Sequence, residues 1–577
     1  MRRVPGKHDM TLKRRMNVIF LFFCLLFGLL LTRLFMLQIS AHAQYATLAA
    51  NQHRLVQELY PHRGGISMVD KDGDRHVLAG NHILRHVAAS PRQILERDGY
   101  AWSLSSALGI SEDGIREKLS NGGSTYALIT KAVSEEAAKR VRDLALEGIY
   151  LEEEERRHYP RADFASHIIG FASKIDRREE GRYGLERMYN TQLSGSGGFF
   201  EGVKDSDGYL VALGKRILHP PKNGSDLLLT IDPNIQLKAE RILDEVRTKW
   251  RASSGLALVM DPKTGKIIAS AARPSFDPEE YPEEQDLSVF LNPLVQKQYE
   301  LGSVLKPITM AAAVEEGVVT PDTVYTDSGT ARFGGSVIKN FDGNAYGVQT
   351  MTQVIEKSLN TGMVFVSRKL GKERHLNALE RFGLGQKSGI DLPGEIAGDI
   401  SNLSHGREID FATASFGQGI AVTPIQLAAA MGAIANGGEL LTPYVVENVA
   451  DDAGNETKRG PMVKRRVISP ETSEAITKML VSAVRNGFEN RAGVDGYFVA
   501  GKTGTAQMPR SDERGYDEDR VIHTFVGYAP AFDPKFLILL QLNEPTGNRF
   551  AANTLTPAFH DLAEYILNYY EVPPDER

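Results

Sequence analysis

Three short groups of polar residues occur in order in the second half of the chain: Ser303-Val304-Leu305-Lys306, Ser358-Leu359-Asn360 and Lys502-Thr503-Gly504-Thr505. A serine hydroxyl is a weak nucleophile at neutral pH and needs a base within hydrogen-bond reach. Spacing of three on a helix puts Lys306 on the same face as Ser303, one turn along. To act as a base Lys306 must be neutral, so burial or a second cation has to lower its pKa. Lys502 is the natural second cation, and it can also hold a substrate carboxylate with help from the hydroxyls of Thr503 and Thr505. Ser358 can relay a proton to a leaving amine, and Asn360 offers an amide donor and acceptor to a substrate backbone. Gly504 leaves room for a ligand to approach the backbone. This chemistry is acyl transfer through a serine ester.

Single motifs of this length occur by chance in a chain of 577 residues, and two decoys are present. Ser336-Val337-Ile338-Lys339 repeats the first pattern but follows two glycines and has no helical period. Lys263-Thr264-Gly265 repeats the third but lies in Asp261-Pro262-Lys263-Thr264-Gly265, turn residues between two apolar runs. Order and context select the Ser303 set.

The elements that must position these groups can be read around them. A helix is expected to start near Ser303 and run to Gly317, with Pro307 tolerated close to the first turn and free backbone N–H groups aimed at the reacting centre. Gly255 to Met260 and Lys266 to Ala271 read as a β-hairpin. Gly496 to Ala500, His523 to Tyr528 and Lys535 to Leu542 have strand character, the first leading into Lys502, and Ala558 to Tyr569 has helical period. Strands at the two ends of this region with helices between them predict an α+β domain over 226–577. Ahead of it, 40–225 is a mixed α/β region with a helical patch at Glu135 to Glu147 and a charge block, Glu152 to Arg157, read as a solvated face or local salt bridges. Gly214 to Ser225, rich in Pro, Gly and polar residues, reads as a linker.

Val18 to Leu31 is a run of fourteen apolar residues inside an apolar stretch from Met16 to Ile39, long enough to cross a bilayer. Residues 1–15 carry six Lys or Arg and one Asp, which predicts a cytoplasmic N-terminus and an extracytoplasmic bulk. The alternative is a cleaved signal peptide ending at Ala41-His42-Ala43; the apolar stretch resuming beyond Arg33 favours an uncleaved anchor. With 67 basic and 73 acidic residues the chain has no basic excess for nucleic acid. Its one cysteine, Cys24, lies in the apolar run, which excludes an intramolecular disulfide, a thiolate-rich zinc site and any dependence of the exported part on a thiol. No metal or cofactor is implied.

With these motifs in place, the chain resembles the class B penicillin-binding proteins, the monofunctional peptidoglycan D,D-transpeptidases, over nearly its whole length. Arg63-Gly64-Gly65-Ile66 with Asp70 and Gly73 is similar to the start of that family's pedestal domain, with spacing two residues longer. Arg157-His158-Tyr159-Pro160, His167-Ile168-Ile169-Gly170 and Gly184-Leu185-Glu186 match further pedestal motifs. Leu229-Thr230-Ile231-Asp232, Ser415-Phe416-Gly417-Gln418-Gly419 with Thr423-Pro424, and Phe525-Val526-Gly527-Tyr528 are similar to signatures of its catalytic domain. Where the family usually has Glu-Pro-Gly-Ser, this chain has Glu300-Leu301-Gly302-Ser303.

The resemblance implies a transmembrane helix at 16–39, a pedestal at 40–225 and a β-lactamase-like transpeptidase domain at 226–577 with a five-stranded antiparallel sheet between helices. It implies Ser303 as nucleophile on the D-Ala-D-Ala end of a stem peptide, Lys306 as base, Ser358 as relay and Asn360 as substrate ligand. Lys502, Thr503, Gly504 and Thr505 form the carboxylate-binding strand, and the N–H groups of Ser303 and Thr505 the oxyanion hole. β-Lactams acylate the same serine. Total length and the absence of C-terminal repeat modules are most similar to the septal type, which implies a SEDS-family glycosyltransferase (FtsW) and other divisome membrane proteins as partners. The alternatives are an elongation-type transpeptidase, a D,D-carboxypeptidase or serine β-lactamase, and a non-catalytic divisome scaffold or β-lactam sensor.

Overall fold

The computed structural model describes residues 7–175, 178–203, 216–333, 336–487, 489–510 and 515–575. Its N-terminal helix, Lys7–Phe35, continues through a π-helical turn at Met36–Ser40. The span Thr11–Ser40 has a mean hydropathy of 2.6 in its most apolar window and buries none of it, so its covering must be something other than this chain. The expected 16–39 segment lies within that span, and Cys24 is exposed on it.

The chain divides into two compact units, Met1–Pro61 with Ser196–Lys222, and His62–Gly195 with Asn223–Arg577. In the first, strands Arg54–Leu59, Gly198–Val203 and Ile217–His219 form an antiparallel sheet. The expected linker at Gly214 to Ser225 is therefore corrected. Gly214 and Lys215 lie outside the described residues, Ile217–His219 is a strand, and Ser196 and Lys222 form a β-bridge. The prolines that suggested a linker, Pro220 and Pro221, fall just past the strand, where a missing N–H interrupts no ladder.

In the second unit Asp226–Leu229 runs parallel to Ile66–Val69 and antiparallel to Val446–Ala450, inside a seven-stranded sheet that also holds Arg75–Ala89, Ala127–Val133, Ile149–His158 and Glu456–Lys458. Position 225 is thus followed by a strand that joins early and late parts of the chain. The Glu135 helix stops at Asp143, short of the expected Glu147, and Ala145 just beyond it has a φ of +46°. The charge block lies on strand Ile149–His158, where Glu153 pairs with Arg85 and Glu154 with His86 and Lys174. Arg157 turns inward instead and joins Arg63 on the fully buried Glu186.

The remaining large sheet has five antiparallel strands: β1 (Ser254–Met260), β2 (Ile267–Arg273), β3 (Ala500–Pro509), β4 (Tyr516–Ala529) and β5 (Phe536–Asn543), in the order β2-β1-β5-β4-β3. The expected hairpin is β1–β2, and its turn uses the Lys263-Thr264-Gly265 decoy, with Thr264 donating to Asp261 and Gly265 at a φ of +81°. Helix Pro233–Lys249, capped by Asp232, and the C-terminal helix Thr556–Tyr569 pack on the sheet and on each other. Helices Lys306–Glu315, Pro424–Ala435 and Pro470–Ser482 form a second packed group against it. Every residue of Pro424–Ala435 is buried, as expected of a helix apolar on all sides. The expected strand at Gly496 to Ala500 is displaced: β3 begins at Ala500 and carries Lys502 to Thr505 within it. Glycines and a lysine weaken strand propensity there, but pairing to β4 from Ala500 onward overrides it.

Candidate active site

Ser303 lies in a 3₁₀ turn, Gly302–Leu305, that runs into the Lys306–Glu315 helix, so the α-helix begins three residues later than expected. The residue that would close an α-helical bond on the Ser303 carbonyl is Pro307, which has no N–H; the carbonyl accepts from Lys306 N–H instead. A 3₁₀ turn has three residues per turn, so Ser303 and Lys306 are aligned more closely than an α-helix would align them.

Lys306 is fully buried, and its Nζ meets the Ser358 carbonyl oxygen at 2.5 Å, Asn360 Oδ1 at 2.8 Å and Ser358 Oγ at 3.2 Å. Burial, then the charge of Lys502, drives Lys306 well below the ordinary lysine range. In its neutral form the amine keeps two N–H donors for the two carbonyl-type oxygens, which leaves its lone pair to take a proton from a hydroxyl. Ser358 has a φ of +55°, a left-handed conformation that costs a serine about 1 kcal/mol or more. That backbone turns both oxygens of Ser358 onto one amine. Asn360, at the start of helix Asn360–Leu370, is steadied by its Nδ2 donating to the Lys339 carbonyl at 3.0 Å.

β3 is the edge strand of the sheet, and the Ser303 turn packs on it. Two glycines allow the approach. A Cβ on Gly504 would lie 2.9 Å from the Leu301 carbonyl oxygen, and one on Gly302 3.1 Å from the Thr505 carbonyl oxygen. Gly504 thus makes room for the nucleophile's turn. Because a residue of an antiparallel strand presents its N–H and C=O on one edge, the Thr505 N–H also faces outward beside Ser303. Alternation along β3 sends Thr503 and Thr505 to one side and Lys502 to the other. Ser303, Ser358, Asn360, Thr503 and Thr505 line one cleft of about 310 Å³. Lys502 is not in its lining: it is fully buried, donates to the Thr503 carbonyl oxygen at 3.1 Å, and burial lowers its pKa to about 7. The other Ser-x-x-Lys, Ser336–Lys339, is a strand paired with Thr330–Phe333.

Residues 255–564 match the penicillin-binding protein transpeptidase domain and residues 58–229 the penicillin-binding protein dimerisation domain. The chain belongs to the class B penicillin-binding proteins. Among relatives of this family, it is 36% identical to the stage V sporulation protein D of Bacillus subtilis over 98% of this chain and 87% of that one. It is 29% identical to the peptidoglycan D,D-transpeptidase FtsI of Escherichia coli, over 90% of this chain and 86% of that one. Penicillin-binding protein 3 of Mycobacterium tuberculosis complexed with ampicillin superposes with a TM-score of 0.68 at 27% identity, covering 90% of this chain and 97% of that one. As a class B penicillin-binding protein, the chain is a D,D-transpeptidase.

Further cleft residues carry no role in the sequence reading: some lie outside its motifs, and two lie in the quoted Ser415–Gly419 signature. Phe341 and Phe550 stand 5.4 Å apart edge to face, and Phe416 and Gln418 come from the Ser415–Gly419 segment. Asn340 follows the decoy Ser336–Lys339, and its side chain accepts from Thr361 N–H at 3.2 Å, so the dismissed segment buttresses the Asn360 helix. No spacing pattern marks Asn340, Phe341 or Phe550, because they reach the cleft from segments far apart in the chain.

Proposed function

We propose that this protein crosslinks peptidoglycan stem peptides at the division septum through a Ser303 ester. Ser303 Oγ attacks the carbonyl of the penultimate D-Ala while its proton passes to Lys306 Nζ. The oxyanion is held by the N–H groups of Ser303 and Thr505, and the departing D-Ala amine takes a proton by way of Ser358. An amine of a second stem then attacks the ester, forming the crosslink and freeing Ser303. Asn360, Thr503 and Thr505 contact the substrate, and Lys502 draws its carboxylate electrostatically from behind β3. The observation that carries this reading is the fully buried Lys306, its pKa lowered by burial and by Lys502, set between Ser358 and Asn360 at the cleft.

Two carboxylates line the cleft, but Asp342 is engaged by Tyr346 and Asn344, and Glu356 by Ser482 and Asn486. Both carboxylates are tied to side chains of their own surroundings and neither bonds Ser303, which supports a transferase over a carboxypeptidase or β-lactamase. Labelling of membranes with fluorescent penicillin is expected to disappear in Ser303→Ala and persist in Ser336→Ala. Rapid turnover of the label by the wild type would overturn the transferase reading.

The modules of this proposal are a cytoplasmic tail at 1–15, an anchor at 16–39, a pedestal at 40–225 and a catalytic domain at 226–577. The six basic residues of the tail support an N-terminus held in the cytoplasm and a catalytic domain outside the cytoplasmic membrane. The likeness to FtsI supports the septal role, with an FtsW-type SEDS glycosyltransferase and other divisome membrane proteins as partners. The 36% identity to a sporulation protein favours a second reading, a transpeptidase used in sporulation. A fluorescent fusion in growing cells separates them: enrichment at division septa supports the first, and absence from septa with appearance only in sporulating cells supports the second.

A further inference from the structure

Glu300 stands three residues ahead of Ser303 and outside the cleft lining. Its carboxylate accepts the Tyr516 hydroxyl, at 2.9 Å from one oxygen and 3.1 Å from the other, and also the backbone N–H of Gly419. Among the described residues no Lys or Arg contributes to its surroundings. Burial holds this carboxyl above the usual carboxylate range, so it is a poorly solvated group whose main partner is a tyrosine.

The three segments that meet at this carboxylate enclose the nucleophile. Glu300 belongs to the short strand Tyr299–Glu300, paired with Ala421–Val422, and Gly302 just beyond it donates to the Gly417 carbonyl at 2.9 Å. Tyr516 opens β4 and pairs with Pro509 at the far end of β3, four residues past Thr505, a reach of about 13 Å. β3 has no strand on its outer edge; there it is held near its middle, where Gly504 lies against Leu301, Thr505 against Gly302, and the Ala551 N–H donates to Thr505 Oγ1. The Tyr516–Glu300 bond adds a fixed point at the far end of the same hairpin. A strand held at two points has its angle set as well as its position.

We propose that Glu300 and Tyr516 are a positioning pair that sets the angle of β3 against the Ser303 turn and so places the Thr505 N–H and hydroxyl for acyl transfer. The inference rests on the acyl-transfer reading of the site. Neither residue touches the reacting atoms.

The test is the time course of acylation of the full-length membrane protein by fluorescent penicillin, resolved into a noncovalent affinity and an acylation rate constant. Tyr516→Phe, which removes one oxygen, is expected to lower the rate constant on the order of tenfold while affinity and thermal midpoint stay near wild type. Glu300→Leu should do the same, Glu300→Gln should recover most of the rate by keeping an acceptor, and the double variant Glu300→Leu with Tyr516→Phe should be no slower than either single one. Wild-type rates in Tyr516→Phe, or losses that multiply in the double variant, would overturn the pair. If Glu300→Leu fails to fold, Tyr516→Phe and Glu300→Gln decide alone. Persistent labelling of Ser303→Ala would instead remove the acyl-transfer reading beneath the proposal.

Discussion

Two lysines buried within one site are an unfavourable arrangement unless at least one of them sheds its proton, and the site is built so that Lys306 does. Burial and the charge of Lys502 both favour the neutral form of Lys306, whereas Lys502 titrates near neutrality. Burial lowers the Lys502 pKa from 10.5 to about 7, so between those values the unfolded chain binds a proton that the folded chain does not. Stability must then rise with pH across that window, by up to about 1.4 kcal/mol per pH unit for this residue, and the term is flat below pH 7. Urea midpoints of the wild type and Lys502→Met, followed from pH 7 to 9, should diverge upward for the wild type. Parallel curves would mean that Lys502 keeps its proton in the fold. At the same scale Lys306→Met is expected to slow acylation about 10²- to 10⁴-fold, the usual worth of a positioned base, with the noncovalent affinity for penicillin changed far less.

Secondary-structure elements bring those residues together through glycines whose conformation or proximity no other residue reproduces. Gly417 has a φ of +83°, and a Cβ there would lie 2.2 Å from the Gly302 carbonyl oxygen; Gly406 has a φ of +67° with open space around it. Alanine at Gly406 pays only the left-handed backbone term, about 1–2 kcal/mol, and should leave penicillin acylation intact. Alanine at Gly417 adds a collision with the nucleophile's turn, so thermal melts should show a larger loss and acylation should fall with it. Equal acylation in the two variants would show that the Gly417 contact does not hold the turn. The same scale explains what the sequence reveals. Motif order and the apolar runs in β1, β2, β4 and β5 are local patterns and can be read directly. The 3₁₀ turn depends on Pro307 withholding one donor, and the extent of β3 depends on pairing with β4, so neither is visible in local propensity. Lys502 behind the strand follows from β3 running through the motif; a strand ending before it leaves that side undetermined.

At the scale of the whole molecule, one apolar cluster runs without a break from Ile66 and Met68 through the catalytic sheet to Ile566 and Leu567. The buried triad Arg63–Glu186–Arg157 lies in the early part of that body, and its three residues fall in motifs legible in the sequence, although only the fold shows that they converge on one carboxylate. Glu186 is fully buried and also accepts from Tyr159, so Glu186→Ala would leave two guanidinium groups buried without their counter-ion. Such a loss costs about 3–5 kcal/mol. The chain has two tryptophans, Trp102 and Trp250, and in a Trp102→Phe background Trp250 reports on the helix Pro233–Lys249 and the sheet it covers. If the cluster unfolds as one body, Glu186→Ala must lower the urea midpoint seen by Trp250 in the detergent-solubilised full chain, and loss of penicillin labelling must follow the same curve. A Trp250 transition that stays at its wild-type midpoint would mean that 62–195 melts on its own, and that the shared core does not make the catalytic sheet depend on the early strands for stability.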